Sequence, residues 1–290
     1  MKQNSIISLP DLFLDIITKR IDINKNTGNI NQEIRLKIGG NAANFSIALG
    51  KIGIKNKLIA GCNKISELIF KQYIKDKKLK IRFLPIYTDI SITIGLEDDD
   101  RIMITDSKGI QIGINEIKKY EKVLKKIKYI FFGNWNNNKK SNELLEYIIN
   151  LNGDVKIYLD IGDPSINIEN LNKLIKILKE NKIWVLSLNE YELEYLGKFL
   201  KLNYENLLDL ANRLYKILNI EHLDIHSSDF VYSLPSNMYI KIEKVKPKIL
   251  TGAGDTWNAG NFYGYLKNLD NKDRLLFANE IAKIYILNEF

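Results

Sequence analysis

The sequence has 290 residues, 45% of them hydrophobic and 27% charged, with 43 Lys and Arg against 35 Asp and Glu for a formal net charge of +8. A chain this long and this apolar buries a sizeable core without metals or disulfides, which excludes wholesale disorder. Its one cysteine, Cys62, excludes an internal disulfide and a four-cysteine zinc cage, and fits a reducing compartment.

Lys2 and the apolar stretch after it resemble a leader, but Asp11 and Asp15 interrupt the stretch and no small-residue cleavage site follows. No transmembrane span is expected either, so the reading is a cytoplasmic protein with no membrane partner. Ile6–Leu9 and Phe13–Ile17 read as strands. Asn41–Gly50, small and apolar, reads as a helix stopped by Gly50 and Gly53. Lys57–Ala60 is a strand and Glu67–Lys75 a helix. Cys62 between them reads as a small buried residue. Ile90–Leu96 and Ile102–Thr105 form a hairpin around the polar tip Glu97–Asp100. Asn115–Lys126 reads as a helix with a basic outer face. Tyr129–Phe132, Val155–Asp160, Ile183–Leu188 and His222–His226 read as buried strands. Helices over Asn170–Glu180, Glu190–Phe199 and Asn206–Leu218 alternate with the later ones, and Asn258–Leu266 follows as an apolar helix. This alternation predicts a parallel sheet with helices on both faces. The hairpin and the 21–38 region do not fit it and read as a small β appendage over one end of the sheet.

The Lys residues are spread from end to end, and no basic patch interleaved with aromatics occurs, so nucleic acid is not an expected partner. A small anionic substrate suits the charge equally well.

Two glycine segments carry the chemistry. The later one is Thr251-Gly252-Ala253-Gly254-Asp255-Thr256-Trp257, a turn of small residues ahead of a helix. Free N–H groups at a helix start, aided by the helix dipole, make an anion site, and an acid beside them can accept a hydroxyl proton. Taken alone, the segment fits a plain helix N-terminus as well. The earlier segment is Ile38-Gly39-Gly40-Asn41-Ala42-Ala43-Asn44, where two glycines allow close backbone approach and Asn44 offers both a donor and an acceptor. Close helix–sheet packing would explain it too.

In this order and spacing, the two segments resemble the signatures of the PfkB/ribokinase family of carbohydrate and nucleoside kinases. The resemblance extends over nearly the whole chain, through the strand ending at Asp15, the hairpin after residue 87, Asn189-Glu190-Tyr191-Glu192 as an Asn-x-x-Glu motif, and the final helix from Phe277-Ala278-Asn279. It implies a ribokinase-like three-layer α/β/α core with a mostly parallel sheet and a small β-sheet lid. The whole of 1–290 would be one kinase domain, its lid built from discontinuous segments about 15–38 and 87–106. It implies Asp255 as catalytic base and the backbone of Gly252, Ala253 and Gly254 as anion hole. Asp15, Gly39, Gly40 and Asn44 would hold the acceptor's hydroxyls. Asn189, Glu192, His226, Ser227 and Asn279 would serve the nucleotide and its phosphates, with Glu192 reaching Mg²⁺ through water.

The implied reaction transfers the terminal phosphoryl group of ATP, with ADP as the other donor in the family, to a sugar or sugar-containing metabolite. A nucleoside kinase, a phosphosugar kinase and a catalytically silent binding protein are the alternatives. An exposed apolar face on the lid would pair two copies as a homodimer. The chain departs from the family where Ile249-Leu250 replaces Asp-Thr before the turn, and where Leu223–Asp229 replaces a Thr-x-Gly turn.

Other features read more weakly. His222 and His226 are four apart, but on a strand they need not converge on a metal. Asp98-Asp99-Asp100 reads as a solvated turn. Arg35, Arg82 and Arg101 would meet an anionic acceptor if they point inward. Trp135 either stacks on a ligand or packs under a loop. Asp160 and Asp163, closing a strand, are candidates for polar contacts.

Overall fold

The computed structural model describes residues 5–19, 28–89, 91–97, 101–106 and 110–288. The acidic run Asp98–Asp100 and the first part of the 21–38 region lie outside the described residues.

The chain opens with β1 (Ile6–Leu9), β2 (Phe13–Thr18) and β3 (Ile34–Gly39), followed by α1 (Asn41–Lys51), β4 (Asn56–Cys62) and α2 (Lys64–Asp76). β5 (Ile81–Tyr87), β6 (Ile92–Glu97) and β7 (Arg101–Thr105) lead to two short helices, α3 (Ile114–Ile117) and α4 (Glu121–Leu124). The middle of the chain alternates β8 (Tyr129–Phe132), α5 (Ser141–Leu151), β9 (Lys156–Asp160), α6 (Ile168–Glu180) and β10 (Ile183–Asn189). It continues through α7 (Glu190–Phe199), α8 (Leu207–Ile217), β11 (Ile220–His226), β12 (Phe230–Leu234) and β13 (Met238–Lys241), and ends with α9 (Ala253–Leu266) and α10 (Asn271–Ile286).

Nine strands form the large sheet in the order β13-β12-β11-β10-β9-β8-β1-β4-β5. It is parallel from β5 to β11, while β12 and β13 add an antiparallel edge. Alternate residues of each central strand feed opposite cores. Ile130, Phe132, Ile157 and Leu159 pack with Leu144 of α5, Leu174 of α6, Leu193 of α7 and Leu210 of α8. Phe131 and Tyr158 face the other way, against Phe45 of α1 and Phe262 of α9. Phe45 stacks on Phe131 with ring centroids 3.8 Å apart, and Phe262 meets Phe45 edge-on at 5.4 Å. Burying a ring such as Phe262 stabilises the fold by about 1.5–3 kcal/mol.

The flanking helices follow their sequence periodicity. α6 buries Leu171, Leu174, Ile175 and Leu178 at helical spacing, and its Lys and Glu residues face out. α9 differs. It is buried almost all round from Asp255 to Phe262, so it runs through the molecule rather than along its surface. Two of its buried asparagines are fully used. Asn258 accepts from Tyr158 Oη (3.0 Å) and Ser187 Oγ (2.6 Å) and donates to Asp160 Oδ2 (2.7 Å). Asn261 donates to Asp224 Oδ2 at 2.8 Å, where the buried Arg274 of α10 closes an ion pair at 3.1 Å.

A second, four-stranded sheet has the order β3-β2-β6-β7. Its segments are the expected appendage. β5, α5 and the β12–β13 edge are additions to the sequence expectation. β5 carries Pro85 and lies at the edge of the sheet, where a proline is tolerated. The helix expected over Asn115–Lys126 is a correction: it breaks into α3, a 3₁₀ turn at Lys118–Tyr120, and α4. Its residues are mostly charged and only Ile117 and Leu124 are buried, so little packing holds it straight. Among the described residues no helix is long and apolar enough to cross a membrane.

Candidate functional site

The carboxyl ends of the parallel strands converge on the N-termini of α1 and α9. Asp11 follows β1, Asn134 follows β8, Asp160 closes β9, Asn189 closes β10 and His226 closes β11. In an open parallel sheet this is the ligand side.

Gly252 caps α9 at φ +92°, and a Cβ there would lie 2.6 Å from Tyr285 Oη, so the turn requires glycine on both counts. Ala253, Gly254 and Asp255 form the first helical turn. Asp255 is 7% exposed, and its Oδ2 accepts from Asn44 Nδ2 at 2.9 Å. The two glycine segments, 211 residues apart between Asn44 and Asp255, therefore meet through one hydrogen bond. Burial holds the Asp255 carboxyl well above the usual carboxylate range. Asp160 and Asp11 push it further, while the Asn44 hydrogen bond and Arg101 pull it down.

The Gly39-Gly40 pair is explained by two acids. A Cβ on Gly39 would lie 1.9 Å from Asp15 Oδ2, and one on Gly40, itself at φ +92°, 2.8 Å from Asp11 Oδ2. Asp15 accepts from Thr93 Oγ1 at 2.6 Å, and burial raises its pKa. Asp11 is fully buried. It accepts from Ala42 N (2.9 Å), at the start of α1, and from Asn134 Nδ2 (2.8 Å), and burial pushes it up to about 6. Asp160 accepts from Gly162 N at 2.9 Å and from Asn258, and burial with Asp11 nearby raises it to about 6. Asp11 is a candidate site residue that the sequence reading passed over as a mere interruption of an apolar stretch. The available signal was its place just past a buried strand.

Asn189 and Glu192 form a closed capping box on α7. Asn189 N donates to Glu192 Oε2 (3.0 Å), Asn189 Nδ2 to Oε1 (2.7 Å), and Glu192 N to Asn189 Oδ1 (2.9 Å). Glu192 is nonetheless buried, and desolvation with Asp160, Asp163 and Asp255 nearby holds it well above the ordinary range. His226 stacks on Trp257 with centroids 4.8 Å apart and lies against the Gly254 position. Desolvation lowers it to about 4, so it is a neutral imidazole near pH 7. Ser227 Oγ donates to Phe230 O (3.0 Å) and accepts from Asp229 N and Phe230 N (3.0 and 2.9 Å), so its hydroxyl is taken by its own turn. Asn279 Oδ1 accepts from Trp257 Nε1 at 2.9 Å, and its Nδ2 is buried without a partner.

Trp135 is fully buried, with Nε1 donating to Asn142 at 2.9 Å, so it packs under its loop and is not exposed for stacking. Arg35 and Arg82 face solvent. Arg101 is exposed but acts electrostatically on both Asp15 and Asp255. His222 packs beside Tyr265, and no group of three or more His, Cys, Asp or Glu fit to hold a metal ion occurs among the described residues. A cavity of about 660 Å³ opens beside Thr93, lined by Phe13, Ile92, Thr105, Ile110 and Asn137 among others. It has the size of a small-molecule site.

The pfkB family carbohydrate kinase profile matches residues 12–289, so the chain belongs to that family of phosphotransferases. No curated protein matches the sequence. Among solved structures, the chain is similar to an Escherichia coli protein described as a ribokinase II in complex with ATP and Mg²⁺, with a TM-score of 0.77 at 13% identity over 98% of this chain and 93% of that one. It is similar to phosphofructokinase-2 from Escherichia coli in complex with substrates and products, with a TM-score of 0.75 at 14% identity over 98% and 93%. It is also similar to adenosine kinase from Sinorhizobium meliloti, with a TM-score of 0.74 at 16% identity over 98% and 94%. The fold is the expected ribokinase-like one, with a large mostly parallel sheet and a smaller sheet. The alternative of a silent binding protein finds no support.

Proposed function

We propose that this member of the family transfers the terminal phosphoryl group of ATP to a hydroxyl of a sugar or sugar-containing metabolite. The observation that carries the reading is the Asn44–Asp255 hydrogen bond, which joins an acceptor-side motif to an acid in the first turn of a buried helix. The Asp255 carboxylate takes the acceptor's hydroxyl proton as that oxygen bonds to phosphorus and the bridging oxygen of the nucleotide leaves. The N–H groups of Gly252 and Gly254 face the charge that builds on the transferring group, and the dipole of α9 adds to them; the Ala253 N–H, expected beside them, instead donates to Leu250 O at 3.2 Å. A base with a raised pKa matches a proton acceptor working near neutrality better than an ordinary carboxylate does.

Asp15 and Asn44 hold acceptor hydroxyls, with Gly39 and Gly40 leaving room for the carboxylates of Asp15 and Asp11. Asn279 Nδ2, His226 and the Ser227 turn lie on the nucleotide side. Mg²⁺ fits Glu192 only through water, because both carboxylate oxygens are already taken by Asn189. It suits a region where burial, with Asp160, Asp163 and Asp255 nearby, raises the pKa of Glu192. Bound there, Mg²⁺ would neutralise phosphate charge.

A nucleoside acceptor is the second reading, favoured by the apolar wall of Phe13, Ile92 and Ile110 in the cavity. A phosphosugar would draw on Arg101. The four-stranded sheet serves as a lid over the acceptor, keeping water from the transferring phosphoryl group. Its outer face, with Ile34 66% and Leu36 61% exposed, takes a second copy of the chain as a homodimer. The single buried thiol agrees with a cytoplasmic enzyme, and the scattered lysines with one that has no nucleic-acid partner.

A phosphorylation screen of sugars, phosphosugars and nucleosides, with ATP and ADP in parallel, tests the reading. Turnover of one acceptor class with ATP supports it. No phosphoryl transfer to any class with either donor refutes it.

A further inference from the structure

Lys37 reaches from β3 of the small sheet to the turn ahead of α9. Its Nζ donates to Thr251 O at 2.8 Å and to Tyr285 Oη, and lies over the Tyr285 ring at 4.9 Å. Tyr285 Oη donates to the same carbonyl at 2.6 Å. The N–H of Thr251 is held as well, donating to Glu97 Oε1 at 3.0 Å, and its hydroxyl donates to that same oxygen. Thr251 thus takes two strands of the small sheet as partners, β3 through Lys37 and β6 through Glu97.

The Thr251–Gly252 peptide is planar and trans, so the direction of its carbonyl fixes the opposite direction of the Gly252 N–H. Lys37 and Tyr285 pull that carbonyl to one side, which turns the amide to the other. Gly252 has no side chain to enforce the orientation, and its φ of +92° lies in a region open to glycine. Asp15, Glu97 and Asp255 face the ammonium and favour its charge, whereas burial and Lys51 of α1 oppose it. Tyr73 of α2 and Lys77 just past its end complete the surroundings, in a cavity of about 280 Å³ that Lys37 itself lines.

We propose that Lys37 is a positioning residue for phosphoryl transfer: its ammonium holds the Thr251 carbonyl so that the Gly252 N–H faces the transferring group, and ties the seating of the small sheet to the formation of the anion hole. This rests on the kinase reading above. Lys37 touches neither reacting group. It acts through the peptide it orients.

The test uses the full chain with the acceptor found by the screen. Lys37→Met keeps the aliphatic stem and removes the charge. Its kcat should fall about 10²-fold, as for loss of one anion-hole donor, with the nucleotide KM and the thermal midpoint nearly unchanged. Methylammonium, which fits the adjoining cavity, should recover most of the loss in Lys37→Ala. In the parent, kcat should fall as pH rises through about 8, where burial has brought the ammonium's deprotonation. Lys37→Arg, always charged, should lack that falling limb. A parent that turns over while Lys37→Met matches it overturns the proposal and leaves the kinase reading standing. So does an equal loss in Lys37→Met, Lys37→Arg and Lys37→Ala that methylammonium does not relieve. A parent that neither turns over nor binds nucleotide overturns both.

Discussion

The α9 region and the four-stranded sheet meet at one cleft, yet they distribute polarity in opposite ways. α9 is wrapped in apolar side chains, and its few polar groups are paired inside the protein. The small sheet is inverted. One cross-strand row, Lys37–Asp15–Thr93–Thr105, faces the cleft, and the neighbouring row, Leu36–Ile16–Ile94–Ile104, faces outward. Ile94, Ile104 and Leu36 are exposed there. A packed helix carries the proposed anion turn, while the sheet sets a polar row beside the buried Phe13 and Ile17 on its inner face and apolar side chains on its outer face. On the proposed assignment, precision of the phosphate side comes from packing, and that of the acceptor side from hydrogen bonds that a ligand can share.

Breaking the packed side should show most. Phe262→Ala removes a ring at the centre of the aromatic cluster, and should cost about 3–5 kcal/mol in denaturant unfolding. A cost under 1 kcal/mol would mean that α9 is not held as described. On the acceptor side, Gly39→Ala places a methyl 1.9 Å from Asp15 Oδ2. Asp15 must move, and kcat/KM for the acceptor should fall about 10²-fold while nucleotide affinity changes little. Equal losses for both substrates would erase the division between the two regions. Leu36→Lys charges the outer face and should shift sedimentation from dimer to monomer with the fold intact. A parent that sediments as a monomer would leave the outer face without this partner.

The smallest effect sharpens the link between the regions. The Asn44 hydrogen bond favours the charged form of Asp255, so Asn44→Ala should raise that pKa further. With the ionised acid as the proposed active form, the rising limb of the kcat–pH profile should move to higher pH by about 0.5–1, the equivalent of one hydrogen bond. A limb that moves to lower pH, or stays in place, would assign it to another group.

The two regions were unequally legible in the sequence. The central strands and amphipathic helices followed from periodicity, because burial on two faces leaves continuous apolar runs and burial on one leaves a stripe. Gly252 and the Gly39-Gly40 pair stood out because each sits where a side chain would collide. Three things were not visible. Asp11 looked like an interruption because its partners, Ala42 and Asn134, are 31 and 123 residues away. That Asn189 and Glu192 close on one another as a capping box with its acid buried was not visible either, because a cap and a phosphate contact use the same residue types. The inverted polarity of the small sheet was hidden because alternation in sequence gives two faces but not which one meets the core. Lys37 escaped notice for the same reason, as one lysine among many in a chain rich in them.

The most direct measurement is single-turnover phosphoryl transfer by Asp255→Asn, which keeps the shape and the Asn44 neighbour but removes the proton acceptor. The rate should fall by about 10²–10⁴-fold, with nucleotide affinity and thermal midpoint close to those of the parent. A variant that transfers phosphate at nearly the parent rate would contradict the role given to the acid at the start of α9.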